Sequence, residues 1–253
     1  MGQIIAITNQ KGGVGKTTTA VNLSAWLSIL GCKVMLVDID PQGNATSGIG
    51  VDKDSLKYSI YDLLLGNAEI EDIKKKNILE RLDLIPSSIE LAGAEIEMVG
   101  IKDREFLLKN ILDIEISKYD YIIIDCPPSL GLLTINALVA ANSIIVPLQC
   151  EYYALEGLGQ LMNTIKLVQQ SINRNLIIKG VVLTMFDGRT NLSIQVVDEV
   201  KKFFKDKVYR SIIPRNVRLS EAPSHGKPVM LYDKRSKGSE LYRELACEVM
   251  GGE

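Results

Sequence analysis

The sequence predicts a doubly wound α/β fold, in which a mostly parallel sheet carries helices on both faces. Short apolar runs rich in β-branched residues alternate with longer helical patterns, and this alternation is typical of parallel sheets. The run Ile122–Ile124 is apolar on both faces, as a strand covered by helices on each side requires. The chain contains neither an internal repeat nor a linker-like tract, so we predict a single domain over residues 1–253.

The individual elements follow from these patterns in chain order. Apolar runs of strand length predict strands at about residues 3–8, 33–38, 82–86, 120–125, 143–147, 178–184 and 208–212. Helical periodicity predicts helices at about residues 16–31, 59–65, 88–98, 103–116, 131–141, 154–171, 191–204 and 238–250.

Composition limits the class of protein. With 46% hydrophobic and 24% charged residues, the chain can bury a substantial core, which excludes disordered and collagen-like proteins. The four cysteines, at positions 32, 126, 150 and 247, match neither a metal-binding spacing nor a disulfide framework, so we interpret them as reduced thiols of a cytosolic protein. The first eight residues lack a basic region and a cleavage site, and we expect no signal peptide.

One uncharged stretch has the length of a transmembrane helix. No charged residue occurs from Cys126 to Cys150, and a stretch of this length could cross a bilayer. Prolines, a glycine and asparagines interrupt it at Pro127, Pro128, Gly131, Asn136, Asn142 and Pro147. We therefore predict a strand end, a helix and a second strand, all buried in a soluble protein.

The charges are unevenly distributed along the chain. The net charge is −2, but residues 201–243 contain 12 Lys and Arg against 4 Asp and Glu, which leaves a local balance of +8 and −10 elsewhere. One interpretation is a nucleic-acid interface in this region. The other is a scatter of charges over a solvated surface.

A glycine-rich loop follows the first predicted strand and opens the first helix. Residues 10–18 are QKGGVGKTT, with Gln10 where the common phosphate-binding loop has a glycine. The three glycines allow a tight turn that directs backbone N–H groups at a phosphate. The helix N-terminus and Lys16 add positive charge, and Thr17 offers a hydroxyl to Mg²⁺. This pattern indicates a site for a nucleotide phosphate chain.

The same loop contains a second lysine, Lys11. It would crowd Lys16 if both bound one phosphate chain. Two interpretations stay open from the residues alone: Lys11 reaches a nucleotide held by a second subunit, or it is a solvated loop lysine.

Aspartates stand at the ends of two predicted strands. Asp38 and Asp40 follow the second strand, where ligands of open α/β sheets bind. Asp38 could hold Mg²⁺ through water and Asp40 could position an attacking water, although Asp40-Pro41 could also be an ordinary turn. Asp125 ends another apolar strand and is the second carboxylate expected beside the metal of a phosphate-loop nucleotidase.

Three motifs together resemble the ParA/MinD family of deviant Walker ATPases, which have a P-loop NTPase fold. They are KGGVGKTT at 11–18, VDIDPQGN at 37–44 and IIDCPPS at 123–129. The tracts QCEYYALEG at 149–157 and IPRNVRLSEAPSHG at 213–226 are similar to those of the chromosomal ParA branch, also called Soj. The resemblance covers essentially the whole chain.

The resemblance implies a role for each motif residue. Lys11 matches the signature lysine, which contacts nucleotide across a dimer whose two subunits sandwich ATP. Lys16 matches the lysine that binds its own subunit's nucleotide, Thr17 the Mg²⁺ ligand, and Asp40 the residue that positions the catalytic water. Gly12 stands where the two nucleotide sites face each other, so a larger side chain is expected to obstruct dimer closure.

The predicted site residues form three groups. The catalytic residues are Lys11, Lys16 and Asp40. The residues predicted to hold Mg²⁺ are Thr17, Asp38 and Asp125. The residues predicted to bind ATP are Lys11, Gly12, Gly13, Val14, Gly15, Lys16, Thr17, Thr18, Pro214 and Asn216, of which the last two match a loop that borders the adenine.

Arg189 and Arg218 match basic positions that bind DNA without sequence preference in Soj-like proteins. Contacts to phosphates give affinity without base recognition, so such binding is expected to depend strongly on salt. Two copies of a modest patch on one dimer raise avidity without new contacts. No helix-turn-helix module precedes the first strand, and we do not expect operator binding.

The implied activity is that of a chromosome-partition ATPase. ATP and Mg²⁺ would join two subunits, the dimer would bind double-stranded DNA of the nucleoid in the cytoplasm, and a ParB-type protein would stimulate the hydrolysis that releases it. An influence on replication initiation belongs to the same hypothesis. Because an aspartate is a weak base at neutral pH, Asp40 is expected to orient water rather than deprotonate it, and intrinsic turnover to be slow.

Three alternatives compete with this hypothesis. A MinD-like membrane ATPase for placing the division site needs a basic amphipathic C-terminal helix, whereas residues 239–253 are acidic, and no stable membrane association is expected. A relative of the nitrogenase iron protein needs two cysteines per subunit for its cluster, and residues 87–99 contain none. A scaffold that does not use its phosphate loop would fail to bind nucleotide.

Overall fold

A seven-stranded sheet runs through the part of the chain that the computed structural model describes, residues 2–151 and 154–251. Met1, Tyr152, Tyr153, Gly252 and Glu253 lie outside the described residues, as do the side chains of residues 154–158. Tyr152 and Tyr153 belong to one of the tracts that carry the resemblance, and Gly252 and Glu253 to the acidic C-terminal segment.

The sheet confirms the predicted fold class. Its strands lie in the order β3-β4-β2-β5-β1-β6-β7, and every neighbouring pair is parallel except β3 with β4. The strands are Gln3–Ile7 (β1), Val34–Asp38 (β2), Lys75–Leu79 (β3), Leu82–Ile85 (β4), Tyr121–Asp125 (β5), Ser143–Gln149 (β6) and Ile177–Thr184 (β7).

Helices connect these strands. The α-helices are Lys16–Ile29 (α1), Asn44–Gly48 (α2), Ile60–Leu64 (α3), Ile70–Ile73 (α4), Leu91–Glu97 (α5), Leu107–Glu115 (α6), Leu132–Ala140 (α7), Ala154–Ser171 (α8), Asn191–Phe204 (α9), Val217–Glu221 (α10), Val229–Tyr232 (α11) and Lys237–Val249 (α12). Short 3₁₀ turns occur at Lys53–Ser55, Met98–Gly100, Arg104–Phe106, Ile116–Lys118, Lys205–Lys207 and Ala222–His225.

Alternate residues of the central strands enter two separate cores. Ile4 and Ala6 of β1 belong to the core that also contains residues of α5, α6, α7, α8 and α9. Ile5 and Ile7, from the same strand, belong to the core that contains residues of α1 and α12. Because successive side chains of a strand point to opposite faces, a strand that is apolar throughout must be covered twice. This arrangement explains why the central strands carry no polar face.

One predicted strand is absent from the described residues and one observed strand was not predicted, at the two outermost positions of the sheet. Residues 208–212 were predicted as a strand but form only an isolated bridge, between Val208 and Val181 of β7. The carboxylate of Glu248 accepts the backbone N–H groups of Arg210 and Ser211 at 2.8 and 2.9 Å, so these groups are not available to a strand ladder.

The antiparallel edge strand β3 was not predicted. Its sequence, KKNIL, is polar and lacks the apolar pattern of the other strands. The register shifts within β3, and Asn77 has a positive φ of 53°, which breaks the alternation that reveals a strand. Charged residues and irregular backbone are common on edge strands because they discourage pairing with another chain.

The predicted helices are all present with ends that differ by a few residues. The predicted helix at 88–98 begins only at Leu91, and that at 103–116 starts as the 3₁₀ turn Arg104–Phe106. Helices α2, α4, α10 and α11 were not predicted. Each has only four or five residues, which gives little periodicity to detect, although the equally short α3 was predicted at 59–65.

The uncharged stretch from residue 126 to 150 forms helix α7 and strand β6, as predicted. No helix among the described residues has both the length and the apolar character needed to span a bilayer.

Candidate nucleotide-binding site

The carboxyl ends of three adjacent strands bring the predicted motifs together. In the parallel pairing, Asp125 at the end of β5 lies opposite Asp38 of β2 on one side and opposite Ile7 of β1 on the other. The glycine-rich loop continues from β1 into α1. The loop and both carboxylates therefore meet at the carboxyl ends of these central strands, where open α/β proteins bind their ligands.

The loop turns sharply at two of its glycines. Gly13 and Gly15 have φ values of 73° and 87°, a left-handed conformation that other residues adopt only at a cost. Helix α1 begins directly after Gly15, and no acidic residue lies in its first turn. The helix N-terminus thus presents its positive end, undiminished by a carboxylate of that turn, to the loop.

Two side chains hold the loop from outside and were missed by the sequence analysis. Asn9 donates its amide N–H to the carbonyl of Pro147 at 2.7 Å and accepts the backbone N–H of Lys11 at 3.1 Å. Thr184, the last residue of β7, donates its hydroxyl to the carbonyl of Val14 at 2.9 Å. Both residues stand at the carboxyl ends of parallel strands, and this position was the signal that could have identified them.

Lys16 is buried in the centre of the loop. Its Nζ donates to the carbonyl of Lys11 at 3.1 Å, so the ammonium lies inside the turn that the loop makes. Burial lowers the pKa of Lys16, and the negative charges of Asp125 and Asp40 oppose that shift. A phosphate chain placed in the loop would supply the charge that favours the ammonium form.

Asp125 is the residue whose surroundings best fit a bound cation. Its side chain is completely buried, and neither of its carboxylate oxygens has a hydrogen-bond partner among the residues that the structure describes. Burial raises the pKa of Asp125, with a further rise from Asp38, while the nearby Thr17 hydroxyl and the charge of Lys16 favour the ionised form. Because buried polar groups are nearly always paired, these two oxygens suit the water shell of Mg²⁺.

Asp38 is tied to the helix that follows its loop. One of its oxygens accepts both the backbone N–H and the hydroxyl of Thr46, at 2.8 and 2.7 Å, and the other accepts the backbone N–H of Asp40 at 3.1 Å. Burial raises the pKa of Asp38 to about 6, against the lowering effect of these hydrogen bonds. Asp38 therefore anchors the loop, a role that the sequence did not reveal.

Asp40 lies on the same loop and is almost buried, with 7% of its surface exposed. One of its carboxylate oxygens accepts the backbone N–H of Gln42 at 3.0 Å. This contact confirms that residues 40–42 form a turn, as one interpretation of the Asp40-Pro41 pair expected, and it leaves the second carboxylate oxygen of Asp40 for another donor.

Comparisons with known proteins agree with this geometry. A family model described as an AAA domain matches residues 2–178. The sporulation initiation inhibitor protein Soj of Bacillus subtilis is 64% identical over 249 residues, which cover 98% of each chain. The chain belongs to the Soj/ParA chromosome-partitioning proteins of the ParA/MinD family.

Solved structures place this Soj/ParA chain among proteins crystallised with nucleotides. The crystal structure of cobyrinic acid a,c-diamide synthase from Mycobacterium smegmatis with bound ADP and magnesium has 40% identity and a TM-score of 0.87, over 99% of this chain and 94% of the other. The MinD protein of Pyrococcus horikoshii, with Mg-ADP, has 28% identity and a TM-score of 0.81, over 98% and 96%.

The second lysine of the Soj/ParA loop is held within its own chain. Lys11 Nζ lies 3.5 Å from the carboxylate of Glu151, and Arg215 lies 3.0 Å from the other oxygen of that carboxylate. The amide of Gln149 donates to Glu151 as well. Lys11 is thus paired in the single chain, but its side chain keeps 34% of its surface exposed, and an exposed pair of this kind costs little to break.

Pro214 and Asn216, which were predicted to border the adenine, lie near the carboxyl end of β7, whose Thr184 contacts the glycine-rich loop. Pro214 forms an isolated bridge with Phe186, which follows β7. Asn216 caps helix α10, because its side-chain oxygen accepts the backbone N–H groups of Arg218 and Leu219 at 3.0 and 3.3 Å. This cap was not predicted from the sequence. It fixes the Asn216 side chain and leaves its NH₂ group for a ligand.

Both predicted DNA-binding arginines are paired with carboxylates in the single chain. Arg189 makes two hydrogen bonds to Asp187, at 2.9 and 2.6 Å, and Asp187 has its pKa lowered to about 2 chiefly by those bonds. Arg218 lies 2.8 Å from Glu221 and 3.3 Å from Asp233. Glu221 and Asp233 are already subtracted in the local balance of +8, so these contacts leave that net charge unchanged but offset the charge of Arg218 locally.

Proposed function

We propose that this chain is an ATP-dependent chromosome-partition ATPase, and that residues 1–253 act as a single domain. The observation that carries the proposal is that the glycine-rich loop, Lys16 and the Asp125 carboxylate, which has no hydrogen-bond partner among the described residues, all lie at the carboxyl ends of neighbouring strands. The identity of 64% with Soj supports the same function. Slow hydrolysis in the cytoplasm, at the nucleoid, is part of this proposal.

The nucleotide would be bound by the loop and the start of α1. Backbone N–H groups of residues 12–18 would donate to the phosphates, which the positive end of α1 also attracts. Lys16, already directed into the turn, would exchange the carbonyl of Lys11 for phosphate oxygens. Pro214 and the NH₂ group of Asn216 would border the adenine.

The buried carboxylates define where a magnesium ion would sit. Thr17 would hold it through its hydroxyl, and Asp125 and Asp38 would hold its water ligands. When bound, Mg²⁺ neutralises charge that builds up on the phosphates. Asp40 would orient the attacking water, because its carboxylate stands on a fixed turn beside the loop, and would leave proton removal to a slower route, since an aspartate is a weak base.

The switch would be a dimer that forms around two ATP molecules. Lys11 would leave Glu151 and contact the nucleotide of the second subunit, where a phosphate chain offers more negative charge than one carboxylate. The dimer would then hold DNA, and a ParB-type protein would stimulate the hydrolysis that ends both states. An effect on replication initiation would follow from the same dimer.

A membrane-bound MinD-like role has less support. Helix α12 buries Tyr242, Leu245, Ala246 and Val249 against the core shared with α1. A helix that lies in a membrane surface needs such an apolar face for the lipid. We propose no stable membrane association for this chain.

DNA binding can be tested by reversing one charge. Arg218→Glu is expected to lower DNA affinity at least about tenfold at low salt, because the substitution removes a phosphate-binding cation from both subunits of a dimer at once. The measurement is DNA retention with ATP, beside a nucleotide-binding titration that should be unchanged.

Arg174→Glu is the matched control for this variant. Arg174 is exposed and lies before the amino end of β7, whereas the nucleotide loop lies at the carboxyl ends of the parallel strands. The same charge change at Arg174 should therefore leave DNA retention intact. Equal DNA retention by Arg218→Glu and Arg174→Glu would contradict the proposed DNA surface.

A further inference from the structure

Two buried hydroxyl groups stand behind the loop that carries Asp38 and Asp40. Thr46 lies in α2, and Ser87 follows β4; neither has any exposed surface. The backbone N–H of Ser87 donates to the Thr46 hydroxyl at 2.9 Å, and the Ser87 hydroxyl donates to the backbone carbonyl of Asp40 at 2.7 Å. The segment after β4 is thereby bonded to both ends of the loop.

The direction of each hydrogen bond in this network is fixed. The Thr46 hydroxyl accepts an N–H from Ser87, so its own proton goes to the carboxylate of Asp38. A carbonyl can only accept, so the Ser87 hydroxyl must donate to Asp40. While Asp38 is ionised, no bond in the network can reverse, which favours one arrangement of the loop.

The network fixes the backbone of Asp40 from both sides. Its N–H donates to Asp38, whose carboxylate is itself held by Thr46. Its carbonyl accepts from Ser87 and, at 2.9 Å, from the backbone N–H of Gly43. With both backbone groups held, the position of the Asp40 side chain depends on Thr46 and Ser87, although neither touches that side chain.

We propose that Ser87 and Thr46 are positioning residues for hydrolysis, which act by holding Asp40 where its carboxylate orients the attacking water. This inference rests on the proposed function, because it assumes the role of Asp40. A displacement of about 1 Å at a reacting group can cost about 100-fold in rate. Removing either hydroxyl should therefore slow hydrolysis while nucleotide binding, which uses other residues, continues.

The test is Ser87→Ala in the full chain, with Ser88→Ala as its matched control. The Ser88 hydroxyl pairs with Ser59 at 2.8 Å and makes no hydrogen bond to the Asp40 loop among the described residues. Ser87→Ala is expected to lower kcat about 10- to 100-fold, with KM for ATP within twofold of the control and a longer-lived ATP dimer. The carbonyl of Asp40 keeps its bond from Gly43, so the variant should fold.

A second pair of variants covers the case in which Ser87→Ala fails to fold. Thr46→Val keeps the side-chain shape and removes the hydroxyl, whereas Thr46→Ser keeps the hydroxyl. The inference expects Thr46→Val to lose kcat and Thr46→Ser to keep most of it, with each kcat measured well below the melting temperature of that variant, because Thr46→Val also leaves the Ser87 N–H unpaired. Equal loss in both, or a kcat of Ser87→Ala within twofold of Ser88→Ala, would overturn the inference.

Asp40→Ala, measured alongside, separates this inference from the proposed function. If Asp40→Ala hydrolyses ATP at the parental rate, the role of Asp40 fails and the two hydroxyls have nothing to position. If Asp40→Ala is slow while Ser87→Ala and Thr46→Val are both unaffected, only the inference about Ser87 and Thr46 fails.

Discussion

The Asp40→Ala variant is expected to bind ATP and to hydrolyse it at least about 100-fold more slowly than the parent chain. Asp40 is the carboxylate that lies on a fixed turn beside the loop, with one oxygen bonded to Gln42 and one available. Removing it leaves the attacking water without an orienting group but leaves Lys16 and the loop intact. The ATP dimer should therefore accumulate rather than disappear.

Single-turnover release of phosphate measures this rate directly, and ATP titration measures binding in the same preparation. Asp206→Ala is a suitable control, because Asp206 is an exposed carboxylate in the 3₁₀ turn after α9. Phosphate release by Asp40→Ala at the rate of Asp206→Ala would exclude Asp40 from the mechanism.

The Gly12→Val variant is expected to fold like the parent chain and to lose the ATP dimer. A Cβ at Gly12 would meet no atom of the described part of the chain within 4 Å, and the φ of Gly12 is not in the left-handed region. The single chain therefore has room for the valine, and its stability should change by no more than about 0.5 kcal/mol. In the sandwich dimer, however, this space is where the second subunit would lie.

Gly100→Val provides the matched control, because Gly100 also has no atom within 4 Å of an added Cβ and no positive φ. We expect the dissociation constant of the ATP dimer to rise about 5- to 150-fold in Gly12→Val, since overpacking a well-packed region typically costs about 1–3 kcal/mol. Sedimentation of both variants with ATP gives this constant. A dimer of parental strength in Gly12→Val would place the interface elsewhere.

The sequence predicted the central sheet better than its edges. Strands such as β1 and β5 are apolar throughout because helices cover both faces, and this pattern is visible without a structure. At the edges the backbone departs from regular geometry, as at Asn77 in β3 and where Glu248 takes the N–H groups of residues 210 and 211. Such departures come from tertiary contacts that no local pattern encodes.

The same distinction applies to the candidate site. Residues inside a contiguous motif, such as Lys16 and Asp40, were predicted because their neighbours in sequence identify them. Ser87 and Glu151 were missed, since they contact motif residues 47 and 140 positions away in the chain. Ser87 nevertheless follows a parallel strand, and the rule that found Asp125 at a strand end would have found it if extended to hydroxyl groups.

The charge pattern was the least informative sequence feature. The net charge between residues 201 and 243 does not show which cations lie beside a carboxylate and which are exposed without one. In the structure, Arg218 contacts both Glu221 and Asp233, and Arg189, outside the counted segment, contacts Asp187. The proposed DNA binding would compete with these internal pairs, which makes low salt and two-site attachment important for any measurement.

The most direct test of the proposed ATP dimer is the molar mass of Asp40→Ala in solution, measured by light scattering after gel filtration. A single chain has a mass of 27.9 kDa. With ATP the mass should be about twice that value, and it should stay at the single-chain value with ADP, without nucleotide, or when Lys11→Ala is added to the variant. A mass of 27.9 kDa for Asp40→Ala saturated with ATP would contradict the account.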